Sequence, residues 1–253
     1  MATRKSMAGD PRKRRQRKGK AAASGMLTTV VAIIVAVAYF INGDLPGNPG
    51  GGFTGTSKLS GTAEEYRATL SELEVRGRAP MTGYDRDHFG TAWTDGVDVQ
   101  FGNNGCDTRN DILRRDLSAL QVREGTRDCL IEKGTLEDPF SGESIKFVRG
   151  QSTSGAVQID HVVPLADAWQ KGAQQWDEQT RKNFANDPDN LIAVKGSLNS
   201  QKGAGDAATW LPPNRAFRCD YAKTIITVKD RYDIWVTQAE VDALSDQLDT
   251  CPA

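Results

Sequence analysis

Hydrophobic and polar positions along the chain fall into three successive patterns. Met26 to Ile41 is an unbroken uncharged apolar run. Extended back to Ala21 it predicts a helix of about 31 Å, one bilayer core. Gly43 to Gly61 carries seven glycines and two prolines with no apolar period, which predicts a flexible linker. Beyond the linker the pattern turns helical or alternating. Thr62 and Glu65 form a capping box that opens a helix with Tyr66, Leu70 and Leu73 inward. Thr108 to Gln121 reads as a second helix, with Ile112, Leu113, Leu117 and Leu120 on its apolar face. Ser144 to Arg149 and Ala156 to Ile159 read as strands joined by a polar loop, followed by a helical piece around Trp169. Strand Leu191 to Val194 leads into a short helix, Ser197 to Lys202. Phe217, Tyr221, Ile225, Val228, Tyr232 and Trp235 recur at helical spacing. Thr237 and Glu240 then form a capping box for a last helix with Val241, Leu244 and Leu248 inward. Trp169, Trp176, Trp210 and Trp235 are read as core or rim aromatics.

Charge changes this picture at the N-terminus. The 253 residues carry a formal net charge of -1, yet nine of the first twenty residues are Lys or Arg and only Asp10 is acidic. A basic block beside an apolar run is a membrane-targeting arrangement: the positive side stays in the cytoplasm and the rest is exported. The expected organisation is therefore a basic tail at 1–20, a transmembrane anchor or signal segment at 21–41, a linker at 42–61 and one domain at 62–253. Ala36-Val37-Ala38 has the small-x-small form that a signal peptidase accepts. The acidic body excludes a protein that grips nucleic acid through overall charge, so a polyanion needs a local patch or a metal.

All four cysteines follow the apolar run, and in exported protein an even number predicts disulfides. If the last two helices fold back on each other, Cys219 meets Cys251, which leaves Cys106 for Cys129. No pair has the close spacing of a zinc knuckle.

Of the two histidines, His88 has no partner at ligand spacing and is read as structural. His161 follows Asp160 at a strand end, which presents both groups to one cavity. Downstream stand Asn190, then Asn199, then Lys202 one helical turn later. This constellation resembles the HNH, or ββα-metal, endonucleases, and the surrounding residues resemble their extracellular DUF1524-type branch. The resemblance runs from about Tyr84 to Leu248. It rests on Cys106 to Leu113, Asp138 to Gly142, Ile159 to Leu165, Phe184 to Pro188, Asn190-Leu191 and Asn199 to Gly203, which occur in that order. The final histidine of the HNH pattern is Asn199 here. The resemblance implies an α+β fold, a ββα-metal core embedded in helices behind an N-terminal transmembrane or signal helix, and it implies that Asn190 orients the imidazole, directly or by shaping the loop.

The chemistry of the residues agrees with those roles. Phosphodiester hydrolysis needs a base for water and a cation beside the phosphate. His161, with an ordinary pKa near 6.5, suits the first task. Asp160 and Asn199 offer hard oxygens, which favour Mg²⁺ or Mn²⁺ over zinc. Lys202 is a candidate phosphate contact, and Arg109, Arg149 and Arg181 are candidates for the local basic patch. The expected activity is a metal-dependent, sequence-non-specific endonuclease acting on DNA, or on RNA, outside the cytoplasm. The other reading is a catalytically silent exported domain that binds nucleic acid or an envelope partner. A zinc peptidase is excluded because the paired histidines of such sites are missing.

Overall fold

A computed structural model describes residues 59–252. The tail at 1–20, the apolar segment at 21–41 and the linker up to residue 58 lie outside the described residues. Among the described residues no helix is long and apolar enough to cross a membrane.

Helix α1 (Ala63–Glu72) starts where expected: Thr62 Oγ1 accepts the Glu65 amide and Glu65 returns a carboxylate oxygen to the Thr62 amide. Helix α2 (Thr108–Asp116) is capped by the Asp107 side chain, which accepts from the Asn110 amide. The expected continuation to Gln121 does not occur. Leu117–Val122 is instead strand β1, paired antiparallel with β2 (Ile131–Glu137), and β2 pairs with β3 (Ser144–Val148). The switch has a tertiary cause. Gly134 leaves room on β2 for Leu117 and Leu120, since a Cβ there would meet Leu117 Cδ2 at 2.8 Å and Leu120 Cδ2 at 3.2 Å. Leucines that suit one helical face thus pack across a strand pair, and β2 had no apolar alternation strong enough to announce it.

Strand β4 (Val157–His161) pairs antiparallel with β5 (Leu191–Lys195), from Val157↔Lys195 to His161↔Leu191. The strands at Ser144 and Ala156 therefore belong to different sheets. Between β4 and β5 the chain forms α3 (Leu165–Gln170) and α4 (Glu178–Asn186), and after β5 comes α5 (Gly196–Lys202). A Cβ on Gly196 would lie 2.0 Å from the Gly155 carbonyl oxygen, so glycine is what lets α5 begin against the root of β4.

Alternation along β4 and β5 separates two cores. Val157, Ile159, Leu191 and Ala193 join Ile112, Leu113 and the three-stranded sheet. Ile192 and Val194 join the cluster made by α3, α4, α6 (Arg218–Arg231) and α7 (Gln238–Leu248). The β4–β5 ribbon is thus buried on both faces, which fixes its register. Trp169 and Trp235 are buried and Trp176 and Trp210 pack against the helical core.

The α6–α7 hairpin is as expected, and Cys219 is bonded to Cys251, Cys106 to Cys129. Two details differ. α6 ends at Arg231, so Trp235 stands in an extended stretch whose Val236 bridges Val75. Thr237 does cap α7, but the Glu240 carboxylate turns inward to the Lys171 and Lys229 ammonium groups instead of completing a capping box.

Candidate active site

The end of β4, the turn after it and the last turn of α5 enclose a cleft of about 290 Å³ that Tyr84, Arg86, Asp160, His161 and Asn199 all border. Successive residues of a strand point to opposite faces, and the contacts follow that rule. Asp160 meets α5: Lys202 Nζ lies 2.9 and 2.7 Å from its two carboxylate oxygens and 2.6 Å from the His161 carbonyl oxygen. His161 faces the other way, its ring stacked on Trp93 at a centroid distance of 5.8 Å and 15° between planes.

The imidazole has a defined tautomer. Nε2 lies 2.9 Å from the Ala185 carbonyl oxygen, which can only accept, so Nε2 carries the proton and Nδ1 keeps the lone pair. Among the described residues nothing hydrogen-bonds Nδ1. Burial lowers the His161 pKa from 6.5 to about 3; the Ala185 hydrogen bond opposes this, while Arg86 and Lys202 add to it. The ring is therefore neutral at physiological pH, as proton abstraction requires, but a weaker base than its ordinary value suggests.

Asn190 shapes the turn rather than touching the imidazole. Its Oδ1 accepts the Val163 amide at 2.8 Å, its Nδ2 donates to the Val163 carbonyl at 3.2 Å, and its own carbonyl accepts the Val162 amide. Asp138 performs a similar task at the other end of the ribbon, accepting the Lys195 amide where β5 passes into α5.

The chemistry of the donor set suits a hard cation. Asn199 donates Nδ2 to Gln158 Oε1 at 2.9 Å, which leaves its Oδ1 without a hydrogen bond from any described residue, and Asn199 and Asp160 both border the cleft. Oxygen donors of this kind are those that Mg²⁺ takes together with several waters, and here Lys202 holds both oxygens of Asp160. No group of three or more His, Cys, Asp or Glu that could hold a metal ion of any kind occurs among the described residues, and Asp160 is the one acidic residue that borders the cleft. Lys202 competes for Asp160; burial pushes the carboxyl up and the ammonium down, and their pairing opposes both shifts.

Several expected site residues are placed elsewhere. Lys202 is buried on Asp160, so its ammonium is not presented as a free phosphate contact. Arg149 donates to the Ile131 carbonyl and Asn110 Oδ1, and Arg181 to the carbonyls of His88, Ala173 and Trp176. Arg109 reaches the Val157 carbonyl. None of the three borders the cleft, because satisfying buried carbonyls near the core takes up their donors. Arg86 occupies the position expected of them: it is exposed, hydrogen-bonds no described residue, and borders both this cleft and a second cavity of about 70 Å³ beside His161. Arg86, Tyr84 and Trp93 carry no spacing relation to His161 that a sequence reading detects. Gln158 does carry one, standing two strand positions before Asp160 on the same face.

The family model "GmrSD restriction endonucleases, C-terminal domain" matches residues 107–247, which include β4, β5 and α5. A protein of Arthroderma benhamiae described as an "Uncharacterized secreted protein" is 38% identical over 192 residues, covering 75% of this chain and 86% of its own length. The chain belongs to the family of the GmrSD restriction endonuclease C-terminal domain.

Proposed function

We propose that this protein is a metal-dependent endonuclease of HNH type that hydrolyses phosphodiester bonds of DNA, with RNA as the other substrate the chemistry admits, without sequence preference and outside the cytoplasm. The observation that carries the reading is the convergence of Asp160, His161 and Asn199 on one cleft, with the imidazole neutral and its Nδ1 unpaired. β4, β5 and α5 are read as the ββα-metal unit. The family's printed description as restriction endonucleases supports the reaction class. The secreted relative and the two disulfides support export, and the segment at 21–41 is read as the membrane anchor or signal that delivers it.

In this reading Arg86 receives the phosphate, a role its unpaired guanidinium fits. His161 takes the proton of the attacking water at Nδ1 while Ala185 holds the ring by Nε2–H. Water oxygen adds to phosphorus as the bond to the leaving oxygen breaks. A phosphate drawn to Arg86 cancels part of the positive field that depresses the His161 pKa, so substrate itself strengthens the base. Asp160 and Asn199 would hold Mg²⁺ or Mn²⁺, which supplies neutralisation of the charge developing on the phosphate. Non-specific cleavage is expected because, among the described residues, no recognition helix or basic reading arm accompanies the motif.

One observation favours the silent, binding-only reading: Lys202 covers both oxygens of Asp160. A plasmid-nicking assay on the purified full chain separates the two. The nuclease reading expects a smear with Mg²⁺ and none with EDTA. Intact plasmid under both conditions refutes it, discrete bands refute non-specificity, and activity that persists in EDTA refutes the metal.

A further inference from the structure

We propose that Trp93 is a positioning residue that sets the plane of the His161 imidazole, and that the loop carrying it is built to press it there. The proposal rests on the reading of His161 as the base. The chain holds five tryptophans: Trp169, Trp176 and Trp210 belong to the helical core, and Trp235 is buried under Arg76. The fifth lies across the ring of His161, nearly parallel to it.

A single hydrogen bond from Nε2 to Ala185 fixes one atom of the imidazole and leaves the ring free to swing about its Cβ–Cγ bond, a motion that breaks this contact and releases the tautomer. A flat aromatic face laid over the ring removes this freedom, and only a planar side chain does so. Trp93 also packs against the core formed by α2 and the strands, so its ring is wedged between a rigid body and the imidazole.

The backbone supports this view. Trp93 has φ +58°, a left-handed conformation that is a rare outlier for a bulky residue. Contacts of Trp93 and of the two residues after it hold it there. The Trp93 carbonyl accepts the Thr108 amide, and the Thr94 carbonyl accepts Thr108 Oγ1. The Asp95 carboxylate accepts the amides of Asn104 and Gly105, each at 2.9 Å. The loop then runs into Cys106, bonded to Cys129, and into the Asp107 cap of α2. A costly backbone conformation enforced by the contacts of the loop that follows is expected where it aims a side chain at a functional group.

The test compares Trp93→Phe, which keeps an aromatic plane, with Trp93→Leu, which keeps apolar bulk but has none. Both are made in the full chain and compared with wild type at a temperature where circular dichroism shows each folded. With plasmid and Mg²⁺, Trp93→Leu should lose about 100-fold in kcat with KM within about threefold, the scale of a misplaced catalytic group. Trp93→Phe should stay within about fivefold of wild type. In parallel, ¹⁵N spectra of the imidazoles should show one Nε2–H tautomer at His161 in wild type and Trp93→Phe, and an average of two in Trp93→Leu. With only two histidines in the chain, His88→Gln assigns the signals. Equal kcat for the Leu and Phe variants, or a single Nε2–H tautomer in Trp93→Leu, overturns the proposal. If wild type cleaves nothing, the nuclease reading fails and the tautomer comparison still decides the role of Trp93.

Discussion

Burial of a neutral His161 should make this protein lose stability in acid by an amount one substitution can isolate. The imidazole holds a pKa of about 3 in the folded protein and one near 6.5 in the unfolded chain. Between these values the unfolded state binds a proton that the folded state refuses, so stability falls as pH drops through 6.5 and levels off below about 3. At about 1.4 kcal/mol for each pH unit in that window, the full penalty is about 5 kcal/mol. About 3 kcal/mol of it falls between pH 7 and pH 4. His161→Phe keeps a flat buried ring against Trp93 and cannot titrate. It forfeits the bond to Ala185, a loss that does not vary with pH. Urea unfolding of both proteins at pH 7, 6, 5 and 4 should give curves that converge or cross in acid, because wild type loses about 3 kcal/mol that the variant keeps. His88 and the carboxylates remain in both proteins and cancel in the difference. A gap between wild type and variant that stays constant within about 0.5 kcal/mol from pH 7 to 4 would refute the argument and place His161 within reach of water.

Four further outcomes follow from named contacts. Lys202→Met strands the buried Asp160 carboxylate and should cost about 3–5 kcal/mol, most of it recovered in Asp160→Asn/Lys202→Met; additive losses in denaturant unfolding would contradict the pairing. Asn190→Ala leaves both Val163 backbone groups unpaired, so a loss of about 2–3 kcal/mol in unfolding free energy is expected, with kcat falling more than KM rises. Replacing Cys106 and Cys129, or Cys219 and Cys251, by Ser opens loops with sequence separations of 23 and 32 and should cost about 3–4 kcal/mol each by thermal or denaturant unfolding. Asn199→His should move the metal preference in the nicking assay towards Ni²⁺ or Zn²⁺, since an imidazole is a softer donor than an amide oxygen.

Much of this protein was legible because the signals are local. Thr62 with Glu65 announces α1, and the spacing from Phe217 to Leu248 announces a helical hairpin that brings Cys219 to Cys251. The order of Asp160, His161, Asn190 and Asn199 announces a strand pair followed by a helix, with three of these residues on one cleft. Each is a pattern over a few residues, and backbone geometry converts such a pattern into position directly. The tertiary structure decided whatever depends on a partner distant in sequence. Leu117 and Leu120 fit a helix face or a strand equally well until Gly134 supplies the surface they cover. Glu240 could have closed a capping box, but two buried lysines claim it, since an unpaired ammonium inside the core costs far more than an open cap. The arginines were distinguishable only by which carbonyls the fold left unpaired beside them, and Arg86 alone of these reaches the cleft. Trp93 stands 68 positions before the histidine it covers. No periodicity spans that distance, and only the docking of the Trp93 loop on Thr108 and on the core of α2 and the strands brings the two rings together.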